Sequence, residues 1–327
     1  MNVLGIETSC DETSVSVVRD GRVILSNEVS SSLAFHKKYG GVVPEIASRM
    51  QLEAISAVAQ EALRKSRVNL KKIGLVSVTC GPGLLGSLLT GISFAKAISL
   101  ALGIPLVGVN HVYSHIYANF LNSKAVSFPF VALVVSGGHT SLFYVADFKR
   151  IEVLGLTQDD ACGEAFDKVA KILGLGYPGG PLIERLAKQG DSKKIKFRCS
   201  GTKQALDFSF SGIKTAVLYL VKDKQLTLSQ KRDIAASFQE TVIDTLIKKA
   251  LLACKIKKAK RLVVGGGVVA NNRLREKFYE AAGEKGIDCF FPQKELCMDN
   301  AAMVAGLGYQ LFKRGVKSGL DLTAQLN

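Results

Sequence analysis

An α/β protein of two similar lobes around a central cleft is predicted by two observations: the placement of three glycine-rich turns, and an order of elements that runs the same course twice. The turns are Gly5-Ile6-Glu7-Thr8-Ser9-Cys10-Asp11-Glu12-Thr13, Val135-Ser136-Gly137-Gly138-His139-Thr140 and Gly265-Gly266-Gly267-Val268-Val269-Ala270-Asn271. Each follows a short apolar run (Val3-Leu4, Phe130 to Val135, Leu262 to Val264) that reads as a buried strand. A strand ending in glycine lets backbone N–H groups come close to an anion, because no Cβ stands in the way. One such turn opens each half of the chain and a third falls late in the second half, as expected for one nucleotide gripped between two lobes. At 327 residues, 47% hydrophobic and 22% charged, the composition is globular and the length fits about two domains.

The elements follow in order. Strands are expected at 3–9, 14–19 and 22–29, joined by turns at Cys10-Asp11-Glu12 and Asp20-Gly21, which makes an antiparallel meander. A helix over 44–65 has Pro44 in its first turn and apolar residues at Ile46, Ala47, Met50, Ala54, Ala57 and Val58. Residues 73 to 95 carry no charge, but Gly81-Pro82-Gly83 breaks the run and several Ser and Thr make it polar for a membrane span. It reads as strand 74–79, a turn and buried helix 85–102, followed by strand 105–109. The course restarts with strands 130–136, 141–146 and 151–156, then helices at 163–173, 181–189, 211–222 and 229–254. Strand 261–265, helix 270–284, strand 287–291 and helix 299–313 complete it. The sequence itself shows no repeat, so the duplication rests on element order alone.

Bulk features narrow the function. The N-terminus has no basic, apolar leader, and the seven cysteines lack C-x-x-C spacing, so reduced thiols of a cytoplasmic protein are expected. The net charge of +15 concentrates at Lys188 to Lys203, Lys248 to Arg261, and Lys313, Arg314 and Lys317. A field of that sign draws polyanions, nucleic acid first, with a lysine-rich surface as the bland alternative.

His111-Val112-Tyr113-Ser114-His115 puts two imidazoles at i and i+4 on one helix face, a workable pair of ligands for one divalent metal or simply two histidines on a polar face. The helix starts just after a strand end, where functional residues of α/β sheets gather. A zinc peptidase needs Glu beside the first histidine, and Val112 stands there. Asp299 is expected to open the last helix as its N-cap, a role that leaves one carboxylate oxygen for a metal. Glu7, Asp11 and Glu12 crowd the first turn, and acids so close to a phosphate need a cation or a proton between them. Gly137-Gly138 beside His139 and Thr140 fits a phosphate or acyl-phosphate cradle. Glu164, Asp167 and Lys168 at a helix start, and the Tyr177-Pro178-Gly179-Gly180-Pro181 turn, suit ribose or base contacts, or only capping and turn chemistry.

These motifs together resemble the bacterial TsaD family of tRNA threonylcarbamoyladenosine transferases. The resemblance rests on G-I-E-T-S-C-D-E-T at 5–13, G-G-V-V-P-E at 40–45, G-P-G at 81–83, H-x-x-x-H at 111–115 and S-G-G-H-T at 136–140. It continues through G-E-A-F-D-K at 163–168, Y-P-G-G-P at 177–181, F-S-F-S-G at 208–212, G-G-G-V-V-A-N at 265–271 and D-N at 299–300. It implies an actin-like fold, shared with sugar kinases and chaperone ATPases. The lobes would be 1–109 with 300–327 (partner-binding face and first phosphate turn) and 110–299 (metal and adenylate). The implied reaction passes threonylcarbamoyl from its adenylate to the adenosine 3′ of the anticodon, in tRNAs reading codons that begin with A.

By position, His111, His115 and Asp299 would hold one iron(II), or zinc in its place, with Ser136 or substrate completing the shell. Val134 stands where some relatives carry a tyrosine, which excludes a phenolate ligand. Val134, Val135, Ser136, Gly137, Gly138, Asp167, Gly180, Glu184 and Asn271 would hold the adenylate. Asp11 or Glu12 is expected to take the proton lost by the attacking amine. The implied partners are tRNA, a TsaB-like paralogue docking on helix 44–65 and a TsaE-like ATPase, with a homodimer when the chain is alone and no membrane. A regulatory nucleotide-binding scaffold and a metallopeptidase are the competing readings.

Overall fold

Val3, Leu4 and Ile6, and their counterparts Phe130 to Val135, are wholly buried, and each run forms the middle strand of a five-stranded sheet. The computed structural model describes residues 1–121 and 126–325. It divides into two compact units, Met1–Val126 with Glu295–Asn327, and Ser127–Lys294. The boundaries therefore fall at 126/127 and 294/295, where the sequence suggested 109/110 and 299/300. The shift moves His111, His115 and Asp299, which the sequence division kept together in 110–299, into the first unit.

In the first unit β1 (Asn2–Glu7), β2 (Glu12–Arg19) and β3 (Val23–Ser31) form the expected meander, and β4 (Ile73–Gly81) and β5 (Leu106–Asn110) extend it in parallel on the other side of β1. The spatial order is β3-β2-β1-β4-β5. Helix α1 (Leu33–His36) is a single turn; α2 (Pro44–Ser66) and α3 (Leu85–Leu102) cover the sheet. Pro44 sits in the first turn of α2, where its missing N–H would have no partner anyway. α3 is long and apolar enough to cross a bilayer by composition, yet its Leu88, Ile92 and Ala95 are buried in the core that it shares with β1, β4 and α2. Helix α4 (His111–Tyr117) follows β5 directly, and α10 (Ala301–Lys313) packs on β1, β2 and β4.

The second unit repeats the plan. β6 (Phe130–Val135), β7 (Thr140–Asp147) and β8 (Arg150–Leu156) form a meander, with β9 (Arg261–Gly265) and β10 (Asp288–Phe290) parallel to β6 beyond it. The order is β8-β7-β6-β9-β10, the same as in the first unit. Its helices are α5 (Cys162–Ile172), α6 (Gly179–Ala187), α7 (Ser211–Val221), α8 (Leu228–Lys257) and α9 (Asn272–Gly283). The element order read from sequence thus corresponds to a true duplication of topology.

Glycine matters most where α10 crosses β1: a Cβ on Gly5 would stand 2.2 Å from Ala301 O and 2.8 Å from Ala305 Cβ. Gly5→Ala is expected to cost about 1–3 kcal/mol through forced repacking, whereas Gly283→Ala, with open space around it, is neutral or stabilises by up to about 1 kcal/mol. Urea unfolding of both variants checks the contrast.

Asp160 supplies a pH dependence. Burial alone would raise its carboxyl, but Lys168 (2.6 Å) and Lys214 (2.8 Å, an ion pair outside good hydrogen-bond geometry) outweigh this and hold it below its ordinary value. Between the folded and unfolded values the unfolded chain binds more protons, so stability rises with pH there. The contribution is present above the unfolded value and lost as pH falls through the folded one. Asp160→Asn is expected to flatten the acid limb of a stability–pH curve below about pH 4 and to leave its neutral shape unaltered.

Candidate metal centre and nucleotide-binding turns

Parallel pairing brings the carboxyl ends of β1, β4 and β5 side by side: Ile6 opposes Val78, and Gly81 opposes Asn110. Glu7, Thr79 and His111 stand at those ends. Asn110 caps α4, its side chain accepting the Tyr113 N–H at 3.1 Å, so His111 takes the first helical position and His115 follows one turn on. Their rings lie 4.7 Å apart, edge to face. Asp299 arrives from the segment ahead of α10. It was expected to be the N-cap, but Asn300 fills that role by accepting the Met303 N–H at 3.1 Å. The helix start is pinned to the sheet as well, Ala301 N–H donating to Ser14 Oγ at 2.9 Å. The Asp299 carboxylate is thus released toward the histidines.

Asp299 Oδ1 lies 3.1 Å from His115 Nε2 and 3.6 Å from His111 Nε2. One donor atom from each of the three residues falls within 4.8 Å of the others. His115 is 1% exposed, and neither ring nitrogen makes a hydrogen bond, the Asp299 contact being close but poorly aligned. A buried imidazole without partners is costly, and a cation amid two nitrogens and a carboxylate would satisfy it. The chemistry of the set suits iron(II), zinc or a similar ion.

The surrounding charge favours a cation. Burial and the charges of Asp299 and Asp11 push Glu12 up to about 10. Burial, Asp11 and Asp299 also push the Cys10 thiol far up. His111 is pulled down by burial, but Asp299 and Glu7 overcome this and raise it to about 9. Burial would raise Glu7, and His111 beside it reverses the direction. Asp11 and Glu12 sit on the turn after β1, 9% exposed and half-buried respectively. That turn is held by a residue the sequence reading missed: Gln51 of α2 donates its amide to Cys10 O (2.9 Å) and Glu12 O (3.0 Å). Its signal was a polar side chain at the Ala47–Ile55 spacing of a buried helical stripe.

In the second unit the turn after β6 closes on itself. Ser136 N–H donates to His139 O at 2.8 Å and His139 N–H to Ser136 Oγ at 3.1 Å, while Gly163 N–H reaches Ser136 O at 3.1 Å. Gly137 and Gly138 face open space, with nothing within 4 Å of a Cβ at either. Val134 and Val135 are wholly buried in the sheet, so only their backbone is available to a ligand. Thr140 is not part of a cradle: it is buried and its Oγ1 accepts the Cys162 N–H at 2.8 Å, starting α5. The third turn packs onto the second through Gly266 (φ +99), whose Cβ would meet Val135 O at 2.4 Å.

Asp167 accepts the Gly179 N–H at 2.6 Å, and Gly180 also donates to it, although burial still raises its carboxyl. Lys168 instead pairs with Asp160 and Glu164. Asn271 caps α9 by accepting the Leu274 N–H at 3.0 Å and donates to Gln239 Oε1 at 2.8 Å. Glu184 Oε1 accepts both the backbone and side-chain N–H of Asn272, at 3.1 and 2.8 Å. Ser136 therefore joins Gly163, Val135 joins the Gly266 turn, Asp167 joins Gly179 and Gly180, and Glu184 joins the start of α9 beside Asn271. Gln239 and Asn272 escaped the sequence reading because their roles depend on partners 32 and 88 residues away.

The triad predicts a stoichiometric ion. Equilibrium dialysis should find about one Zn2+ or Co2+ per chain, and His115→Ala should weaken it by more than the ~100-fold that loss of an outer-shell partner costs. Unchanged binding in that variant would dismiss the site.

Comparison with known proteins sets these features in a family. The family model TsaD, tRNA N6-adenosine threonylcarbamoyltransferase, matches residues 23–306. A Clostridium kluyveri protein of that name is 48% identical over 328 residues, covering 99% of this chain and 96% of its own length. A Thermosipho africanus protein of the same name is 51% identical, covering 100% of this chain and 99% of its own. Among solved structures, T. kodakarensis HypF superposes with a TM-score of 0.66 at 15% identity, over 96% of this chain and 48% of that one. Component A of the Acidaminococcus fermentans (R)-2-hydroxyglutaryl-CoA dehydratase gives 0.54 at 16% identity, over 95% and 98% of the two chains. At that distance the structures speak to fold alone, and they agree with the duplicated, actin-like α/β class. With the family match spanning most of its length and the His111, His115 and Asp299 donors gathered in one place, the chain belongs to the TsaD family of tRNA N6-adenosine threonylcarbamoyltransferases.

Proposed function

We propose that this chain transfers a threonylcarbamoyl group from threonylcarbamoyl-adenylate to the exocyclic amine of the adenosine 3′ of the anticodon, in tRNAs reading codons that begin with A, releasing AMP. The observation that carries the reading is full-length kinship to proteins of that name, together with a buried His115 whose ring nitrogens make no hydrogen bond and face His111 and Asp299. His111, His115 and Asp299 would hold one iron(II), or zinc in its place, with Ser136 or substrate as a further ligand. A bound ion of this kind supplies Lewis-acid polarisation of the carbamoyl or phosphate oxygen.

The chain's own residues do the rest. The open Gly137-Gly138 backbone and Ser136 bind the phosphate end of the adenylate, since glycine N–H groups approach an anion closely. Asp167 holds Gly179 and Gly180 in place, so that Gly180, Glu184 and Asn271 orient the nucleoside. Asp11, or Glu12 once a bound cation has displaced the proton it otherwise holds, takes the proton that the attacking amine gives up as its C–N bond forms and the phosphate leaves. A net charge of +15 draws the tRNA. None of the seven cysteines is in a disulfide, in keeping with a cytoplasmic setting.

The partner proteins dock elsewhere. A groove of about 480 Å³ between α2 and α3 is floored by Ile55 and Phe94 and rimmed by Leu52 and Leu89, which are 68% and 46% exposed. Apolar side chains so placed suit a paralogue of the same fold, TsaB-like, or a second copy of this chain when it is alone. A TsaE-like ATPase joins that assembly.

Transfer of labelled threonylcarbamoyl to unmodified tRNA, with both partners present, tests the reaction. It is expected to vanish in the His111→Ala/His115→Ala protein together with its metal; absence of transfer by the intact protein would overturn the assignment. Leu52→Glu with Leu89→Glu should abolish partner association in sedimentation, with stability changed by no more than about 0.5 kcal/mol, as for other exposed sites.

A further inference from the structure

Glu7 touches His111 on the side away from Asp299. Its Oε2 is 3.1 Å from His111 Nδ1, while the opposite ring nitrogen, Nε2, is the one 3.6 Å from Asp299 Oδ1. Glu7 is wholly buried and held on its own far side: Oε1 accepts the Ser9 N–H at 2.6 Å and Oε2 the Thr79 hydroxyl at 2.5 Å. An ionised carboxylate only accepts, so the nitrogen facing it must donate. Ser9 Oγ, 3.1 Å from the same Nδ1, can accept a share of that proton. Among the described residues, His115 Nδ1 has no hydrogen-bond partner of this kind, and its Nε2 faces Asp299.

We propose that Glu7 is the positioning residue of the metal centre: by accepting the His111 Nδ1–H it fixes the imidazole tautomer and turns the Nε2 lone pair toward His115 and Asp299. Thr79 and the Ser9 backbone hold Glu7 itself, so the chain of contacts runs from the end of β4 through the end of β1 to the start of α4. A carboxylate behind a ligating histidine sets ring orientation and strengthens the nitrogen as a donor. A glutamine cannot replace it, because its NH2 end would meet either the Ser9 N–H or the His111 Nδ1–H, donor against donor. The inference rests on the reading of His111, His115 and Asp299 as a metal site, and its test separates the two.

Histidine-selective nitrogen NMR of the full chain, with and without Zn2+, reads the tautomer directly. The expected result is His111 protonated at Nδ1 in both states, with Nε2 the atom shifted by metal; a metal-free ring protonated at Nε2 alone, or metal on Nδ1, overturns the proposal. Glu7→Gln is then measured by Zn2+ and Co2+ competition against a chromophoric chelator. Affinity is expected to fall by ~10–100-fold with an altered Co2+ absorption spectrum, and Thr79→Val, which leaves Glu7 in place, should lose less. Retained affinity and spectrum in Glu7→Gln, while His115→Ala loses the ion, would sink the role of Glu7 alone. A wild-type chain that binds neither ion would sink the metal site and this inference together. If Glu7→Gln does not fold, the tautomer of the unmodified protein still decides.

Discussion

Parallel pairing of β1 with β4 and of β4 with β5 is the constraint on which the first unit depends. It sets three strand ends side by side, so that a carboxylate, a hydroxyl and an imidazole meet without any of them needing a long reach. The same pairing forces α10 to cross β1 at backbone distance, which only a glycine at position 5 allows. That close crossing in turn delivers Asp299 to the histidines, because the residue just ahead of α10 has no freedom once Asn300 caps the helix and Ser14 pins its start. Sheet register, helix placement and the cluster of His111, His115 and Asp299 are therefore one mechanical system.

Negative charge is concentrated where that system converges. Burial and the charges of Asp299 and Asp11 together push Glu12 and Cys10 up, whereas His111 is raised by Asp299 and Glu7 against the effect of burial. A site made of acids and imidazoles out of water is unfavourable by itself and becomes favourable when a cation joins it. The second unit solves a different problem with the same topology. Its strand ends carry little charge and much exposed backbone at Gly137 and Gly138, a surface suited to an anion. Duplication has thus yielded one unit whose strand ends gather acids and imidazoles and one whose strand ends leave glycine backbone open.

Much of this was legible in advance. The strands, the long helices, the histidine spacing and the glycine turns are local patterns, and local patterns survive in a sequence because period and turn chemistry act over a few residues. What was misread depended on neighbours. Asp299 and Asn300 are both good caps, and only the approach of α10 to β2 chose Asn300. Thr140 looked like a ligand contact and serves the start of α5 instead. Gln51 gave no sign of its purpose, because the carbonyls it satisfies lie on a turn some forty residues upstream.

By itself, then, the sequence determined the α/β class, the repeated order of elements, the family and the i, i+4 histidine pair, since each rests on residue type at short spacing. Only the tertiary structure decided where the units divide, which oxygen and nitrogen atoms face each other, and which polar residues hold the site rather than form it. The physical reason is the range of the interactions: periodicity and capping are written within a turn of helix, whereas hydrogen bonds such as Glu7 to His111 close loops of 104 residues and exist only once the sheet has brought its ends together.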